Sequence, residues 1–384
     1  MPPIDVAAFA LEELRTHRSE KWRDFPSDVL PLPVAEMDFP VATPIRELLM
    51  EMVSGSDLGY LGPIPELALA FEGFAKKGWD WVLDPNQVHI VTDVGVGVVE
   101  VLRLCTHPGD RVLINTPVYH NFNTWLQETN LEKVDVPFEQ VGQEWKLDLG
   151  AVEKAYRSGI KAHLICSPHN PIGYVYSKSE LLKIAQLARE YSVIVISDEI
   201  HGPLTFSEST FVPFLSLGED AESVGVVVTA ASKAWNIAGL KCAMVISQSP
   251  TMDALLKKLP IATHYRASLL GAFATAKAFS DGEEWLEGVM KALDFNRYLL
   301  RDLLEKKIPE IIYQVPRCTY LAWLDLEALN LGSNPSQVLL DRGRVALSPG
   351  KAFSPHTTNF VRLNFATSPE ILTEAVNRMV VAIS

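Results

Sequence analysis

Three short stretches close apolar, β-branched runs with side chains able to do chemistry. In Thr229-Ala230-Ala231-Ser232-Lys233 a lysine follows the apolar run 224–228. A lysine held among small residues just past a strand is open to desolvation, which lowers its pKa and frees the amine for a Schiff base with a carbonyl compound. Alone, a Ser-Lys pair reads more readily as an ordinary surface lysine. Two further stretches change the weighting. Ile194-Val195-Ile196-Ser197-Asp198-Glu199-Ile200-His201 ends in an acidic pair and a histidine, and Leu164-Ile165-Cys166-Ser167-Pro168-His169-Asn170-Pro171-Ile172-Gly173 ends in an Asn-Pro turn. Three expected strand ends thus deliver Asn170, Asp198 and Lys233 in chain order, and open parallel sheets carry their ligand chemistry at the carboxyl ends of their strands.

That set suits pyridoxal 5'-phosphate: a lysine for the aldehyde, a carboxylate to keep the pyridine nitrogen protonated, and a donor for the ring hydroxyl. With Asn-Pro-x-Gly at Asn170, Ser-Asp-Glu-Ile-His at Ser197 and Ser-Lys-x-x-Asn-x-Ala-Gly-Leu at Ser232, the chain resembles the fold-type I pyridoxal-phosphate enzymes. Within them it is similar to the cystathionine β-lyase branch of the class I/II aminotransferase family, the MalY/PatB-type C-S lyases. The likeness runs from Met37-Asp38-Phe39-Pro40 to Arg362.

The resemblance implies roles for particular residues. Lys233, Asp198 and Tyr119 are the catalytic candidates, with Tyr119 lying against the pyridine ring. Val94 and Gly95 would offer backbone N–H groups to the phosphate, joined by Ser232 and Lys241, while His201 stands beside the ring oxygen where aminotransferases carry a tyrosine. Tyr60, in Gly59-Tyr60-Leu61-Gly62, would reach a partner's phosphate in a homodimer with shared active sites. Arg362 would take the substrate α-carboxylate, helped by Asn170 and by Ala35 in a lip over the cleft. Departures are visible too. Glu36 replaces an aspartate of the family's lip, Asn121 and Asn123 replace a proline-phenylalanine pair, and Asp93 stands where relatives carry glycine, with helix capping as its expected role.

The implied reaction is carbon-sulfur β-elimination, releasing pyruvate, ammonia and a thiol from a sulfur amino acid. Class I/II transamination is the alternative, and a non-enzymatic regulatory protein on the same fold is a third reading that the intact Asn170, Asp198, Lys233 and Arg362 set disfavours.

Composition bounds the rest. The chain has 384 residues, 48% hydrophobic and 21% charged, with a formal charge of −13, so a large core and two domains are expected. No cluster of lysines and arginines suggests a nucleic-acid surface. No signal-peptide start or run of about 20 apolar residues suggests a membrane or secreted protein, and a cytoplasmic enzyme is expected. The cysteines Cys105, Cys166, Cys242 and Cys318 lack metal or redox spacing and read as core thiols; no metal is expected.

The elements needed to position these residues follow in order. Helices are expected over 6–16, 43–53, 66–77, 98–105, 149–158 and 179–191, the last opened by a capping serine, with strands over 88–91 and 111–114 and the three strands already named. This alternation predicts an α/β fold: a mostly parallel sheet covered by helices. Helices over 252–259, 268–279, 283–306 and 338–344, with strands over 320–325 and 360–365, predict a smaller α+β domain. The division expected is an N-terminal segment over 1–40 joining the small domain, a large cofactor domain over 41–270 and a small domain over 271–384.

Overall fold

The central strands read Ala-His-Leu-Ile-Cys, Ile-Val-Ile-Ser-Asp and Gly-Val-Val-Val-Thr, apolar runs without alternation, as strands covered on both faces require. In the computed structural model, which describes residues 6–142 and 144–384, they form the middle of a seven-stranded sheet. Its order is Val88–Val91, Ala243–Ile246, Gly225–Thr229, Ile194–Asp198, Ala162–Cys166, Arg111–Ile114, Glu132–Asp135. Only Ala243–Ile246 runs against its neighbours; the other pairings are parallel. Alternate side chains enter opposite layers. Val226 and Val228 pack with Val98 and Leu102 of the helix Val94–Cys105, whereas Val227 joins the larger core on the other face. Each such buried valine contributes about 1.5–3 kcal/mol.

Register brings the strand ends to one line. Cys166 lies opposite Asp198, and Asp198 opposite Val228, so the three strands end level and the residues just beyond them share one edge. A second, antiparallel sheet of Ile312–Tyr313, Leu321–Asp325, Phe360–Asn364 and Ser348–Pro349 lies in the later part of the chain, with the helices Glu283–Lys307 and Pro369–Ile383 packed together nearby. The N-terminal segment joins this part by pairing Leu30–Pro31 with Val345–Ala346.

Several boundaries differ from expectation for local reasons. The helix expected over 6–16 is confined to Leu11–Leu14, because the residues before it run extended and Phe9 donates its N–H to the Asp38 carbonyl at 2.8 Å. The helix expected from residue 98 begins at Val94, where Asp93 caps it by accepting the Val96 N–H at 2.9 Å. Ser177, not Ser179, opens the helix Lys178–Tyr191, in a reciprocal capping box with Glu180. The helix expected over 338–344 starts earlier, at Pro335, a residue suited to a first helical position. The alternation along 360–365 does not separate a wet face from a dry one: Arg362 and Asn364 are buried beside Val361 and Leu363. Their face covers the cleft instead of meeting solvent.

Candidate active site

Lys233 lies four residues past the strand Gly225–Thr229, on a turn whose Asn236 has left-handed backbone (φ 55°). Its amine donates to the Ala35 carbonyl at 2.9 Å. Burial, then the nearby Arg362 charge, pulls the amine down to about 8, partly offset by Glu36, Asp198 and Glu20. Exchange of its proton is therefore accessible near neutral pH.

Asp198, at the end of the adjacent strand, is 4% exposed. Its Oδ1 accepts the Ile200 N–H at 3.2 Å, the one hydrogen bond its carboxylate receives among the described residues. Burial raises its pKa to about 7, against the lowering effects of that N–H and of Lys233. A buried carboxylate so poorly satisfied suits a cationic N–H partner.

Asn170 closes the third strand-end loop. Its Oδ1 accepts from Arg362 Nη1 at 3.0 Å, which leaves its amide N–H groups for another acceptor, and its backbone carbonyl accepts the Tyr119 N–H at 3.1 Å. The Tyr119 hydroxyl accepts from Asn121 Nδ2 at 2.8 Å, and its ring meets Trp125 edge-on. Burial raises the Tyr119 pKa, so the phenol stays neutral. The asparagine that departs from the family's pattern thus orients this ring.

Arg362 is 4% exposed. Besides Asn170 it reaches the Pro33 carbonyl with Nη2 at 2.8 Å, and its guanidinium lies 4.8 Å from the centre of the Phe353 ring. Its Nε has no hydrogen-bond partner. Burial lowers its pKa to about 10, which leaves it charged at neutral pH. His201 is buried with Nδ1 unpartnered; burial, then the Lys233 and Arg362 charges, takes its pKa down to about 3, so the imidazole is neutral. Both nitrogens are free to bond a polar molecule bound there.

The remaining residues form the periphery. Val94 and Gly95 occupy the first turn of the helix Val94–Cys105, where N–H groups have no intrahelical acceptors. A Cβ at Gly95 would press against the Trp125 ring, 3.0 Å from its Nε1. Lys241, in left-handed conformation (φ 54°), pairs with Asp93 at 3.1 Å. Ser232 precedes Lys233 and is half-buried. Ala35 contributes its carbonyl, shared by Lys233 and the Tyr320 hydroxyl at 2.9 Å each. Tyr60 stands apart, 91% exposed in an irregular stretch over 57–64 rather than the expected turn. Cys166 and Cys242 are buried in the core.

Three further side chains hold the lip: Asn364, Asn236 and Tyr320. Asn364 donates to the Val34 and Glu36 carbonyls at 2.8 and 2.5 Å, Asn236 pairs with both backbone groups of Met37 at 2.9 and 2.8 Å, and Tyr320 reaches Ala35. Asn364 lies two residues past Arg362 in a strand, hence on the same face, a signal that was available. Asn236 was visible within its motif, but its partner is 199 residues away.

Among the described residues no helix is long and apolar enough to cross a membrane, and no group of three or more His, Cys, Asp or Glu is placed to hold a metal ion. A family model described as Aminotransferase class I and II matches residues 29–379. A Mycobacterium leprae protein provisionally named cystathionine beta-lyase is 40% identical over 392 residues, covering 96% of each chain. The cystathionine beta-lyase of Corynebacterium glutamicum is 34% identical over 369 residues, covering 96% of this chain and 98% of that one. The solved structure of cystalysin from Treponema denticola, which contains a pyridoxal 5'-phosphate cofactor, matches with a TM-score of 0.92 at 27% identity, covering 100% of this chain and 99% of that one.

Proposed function

The chain belongs to the class I and II aminotransferase family, and from that membership we propose that it is a pyridoxal-phosphate-dependent carbon-sulfur β-lyase, releasing pyruvate, ammonia and a thiol from a sulfur amino acid. The observation that carries the reading is the convergence from separate segments of buried Asn170, Asp198 and Arg362 and half-buried Lys233, with Arg362 bonded to Asn170 and the Arg362 and Asp198 charges both acting on the Lys233 amine. The choice of lyase over transaminase rests on the similarity to cystathionine β-lyases.

The donor set fits the cofactor. Lys233 would hold its aldehyde, Asp198 its ring N–H, Asn170 and His201 its ring oxygen, Tyr119 its face, and Val94, Gly95, Ser232 and Lys241 its phosphate. When bound, pyridoxal phosphate supplies an electron sink for the pair left when a substrate Cα–H bond breaks. Arg362 holds the substrate carboxylate through parallel hydrogen bonds, with its unpartnered Nε available for one of them. Lys233, whose amine burial makes easier to deprotonate, accepts the α-proton. Asp198 holds the charge that keeps the ring nitrogen protonated. The pair released from the Cα–H bond then forms a Cα=Cβ bond as the Cβ–S bond breaks with its own pair on sulfur, and the thiolate takes the proton held by Lys233. The carbon product loses its nitrogen to water as ammonia and leaves as pyruvate.

A homodimer is part of this proposal. Tyr60 and the exposed Met50, Val53 and Leu58 suit a surface covered by a second copy, from which the partner's Tyr60 would reach the phosphate. So are the division into units at 1–40, 41–270 and 271–384 and a cytoplasmic location. Transamination is the second reading, favoured by the family's range and by an identical course up to α-proton removal. Incubating the protein with cystathionine, and separately with an amino-acid donor plus a keto acid, discriminates them. Pyruvate, ammonia and thiol are expected from the first mixture; a new amino acid from the second, with no elimination from any sulfur amino acid, would replace the lyase reading.

A further inference from the structure

Asp93 ends the turn between the strand Val88–Val91 and the helix Val94–Cys105, and both of its carboxylate oxygens are engaged. Oδ1 accepts the Val96 N–H at 2.9 Å, and Oδ2 accepts from Lys241 Nζ at 3.1 Å, joining segments 148 residues apart. Of these, Lys241 is a group that would otherwise serve a bound phosphate, beside the Val94 and Gly95 N–H groups of the helix's first turn. The Asp93 charge cancels that of Lys241, so this side-chain pair is neutral overall. Capping does not require the charge, because asparagine caps a helix as well as aspartate does.

We propose, on the pyridoxal-phosphate reading above, that Asp93 is the affinity-setting residue of the phosphate cradle. It is a resident carboxylate that competes with the cofactor's phosphate for Lys241 and sets a like charge next to the Val94 and Gly95 N–H groups, and so lowers the cradle's affinity for phosphorylated ligands. A phosphate entering the cradle must share Lys241 with a carboxylate and approach like charge. An unphosphorylated ligand meets neither obstacle.

Asp93→Asn removes the charge while retaining the capping oxygen, and Asp93→Ser retains a capping oxygen in a smaller side chain. For each protein the rate at which the cofactor-loaded enzyme loses its bound-cofactor absorbance on dialysis is measured, with dissociation constants for pyridoxal phosphate, pyridoxal and inorganic phosphate after cofactor removal. Thermal unfolding checks that each variant is folded. In at least one folded variant, pyridoxal phosphate and inorganic phosphate are expected to bind about tenfold more tightly, the effect of one unit charge a few ångströms away in a largely aqueous dielectric, with pyridoxal unchanged. Unchanged or weaker phosphate binding in both variants overturns the proposal, since Asp93 would then only align Lys241. Equal tightening of pyridoxal overturns it too. If the unaltered protein binds no pyridoxal phosphate but the phosphate response appears, the cofactor reading fails and the role of Asp93 stands. If the cofactor binds and the phosphate response is missing, the role of Asp93 alone fails.

Discussion

Asp198 and Glu199 are sequence neighbours, both buried, with different surroundings. Glu199 accepts hydrogen bonds from Ser197 Oγ at 2.9 Å and the Phe214 N–H at 2.8 Å, whereas Asp198 has the single contact from Ile200. Burial raises the two pKa values to about 8 and about 7. For a carboxyl raised in the fold, the folded state holds its proton more tightly than the unfolded chain. Its stabilising contribution is therefore complete below the unfolded value and is lost as pH rises through the folded one. For Asp198 that window runs from 3.8 to about 7. The cofactor-free protein should thus carry a penalty from ionised Asp198 above neutrality. Asp198→Asn, which keeps an oxygen for the Ile200 N–H, is expected to stabilise cofactor-free protein at pH 8 by up to about 4 kcal/mol, with the difference vanishing near pH 4. Urea unfolding at both pH values measures it, and elimination activity should be lost in the same variant. A difference independent of pH would show that the Asp198 charge is satisfied in the fold.

The lip over residues 33–38 shows how an irregular segment is held without a ladder. Its carbonyls accept from side chains instead: Arg362 and Ser348 donate to Pro33, Asn364 to Val34 and Glu36, Lys233 and Tyr320 to Ala35. At its end, Asp38 is held by a fully buried ion pair with Lys21 at 2.8 Å and by Trp22 Nε1 at 3.2 Å. Removing one partner of such a pair strands a buried charge. Asp38→Ala should destabilise the protein by about 3–5 kcal/mol, and Lys21→Met with Asp38→Leu should recover most of it, because the pair's desolvation offsets much of its attraction. Denaturant titration of the single and double variants tests this; equal loss in both would mean that the lip needs the charges themselves. A second element rests on close approach. A Cβ on Gly271 would fall 1.9 Å from the Leu240 carbonyl oxygen and 2.8 Å from its carbonyl carbon, so the helix Leu269–Asp281 seats directly on the turn that ends in Lys241. Gly271→Ala should lower stability by about 2–3 kcal/mol, the scale of overpacking that backbone cannot relieve, and should weaken cofactor retention by moving Lys241. Thermal unfolding and cofactor-release rates report the two effects; a stable variant that still loses cofactor would trace the loss to the turn alone.

At the scale of the whole molecule, the cleft lies between the carboxyl edge of the seven-stranded sheet and the strand Phe360–Asn364 of the smaller one, with Arg362 bonded to Asn170 across it. Tyr60 touches none of this within one chain. If the partner's Tyr60 completes each site, mixing Tyr60→Phe with Lys233→Ala subunits, each inactive alone, should restore elimination activity through one sound site per hybrid dimer. No recovery from a mixture shown by mass to contain hybrids would remove Tyr60 from the site, and a protein that sediments as a monomer at working concentration would remove the shared site altogether.

Much of this was legible in the residues because it depends on local order. Apolar runs marked the parallel strands, and the polar residues just beyond them marked Asn170, Asp198 and Lys233, since a parallel sheet brings successive strand ends to one edge by topology alone. The capping role of Asp93 was legible for the same reason: a cap acts within its own turn. Contacts between distant segments were not. Nothing near Asn236 in the chain indicates Met37, nothing near Lys21 indicates Asp38 as its buried partner, and Asp93 and Lys241, 148 residues apart in the chain, meet only because they flank neighbouring antiparallel strands. Those pairings depend on which loops the sheet register and the packed helices bring within about 3 Å, the range over which a hydrogen bond acts, and only the tertiary structure decides that.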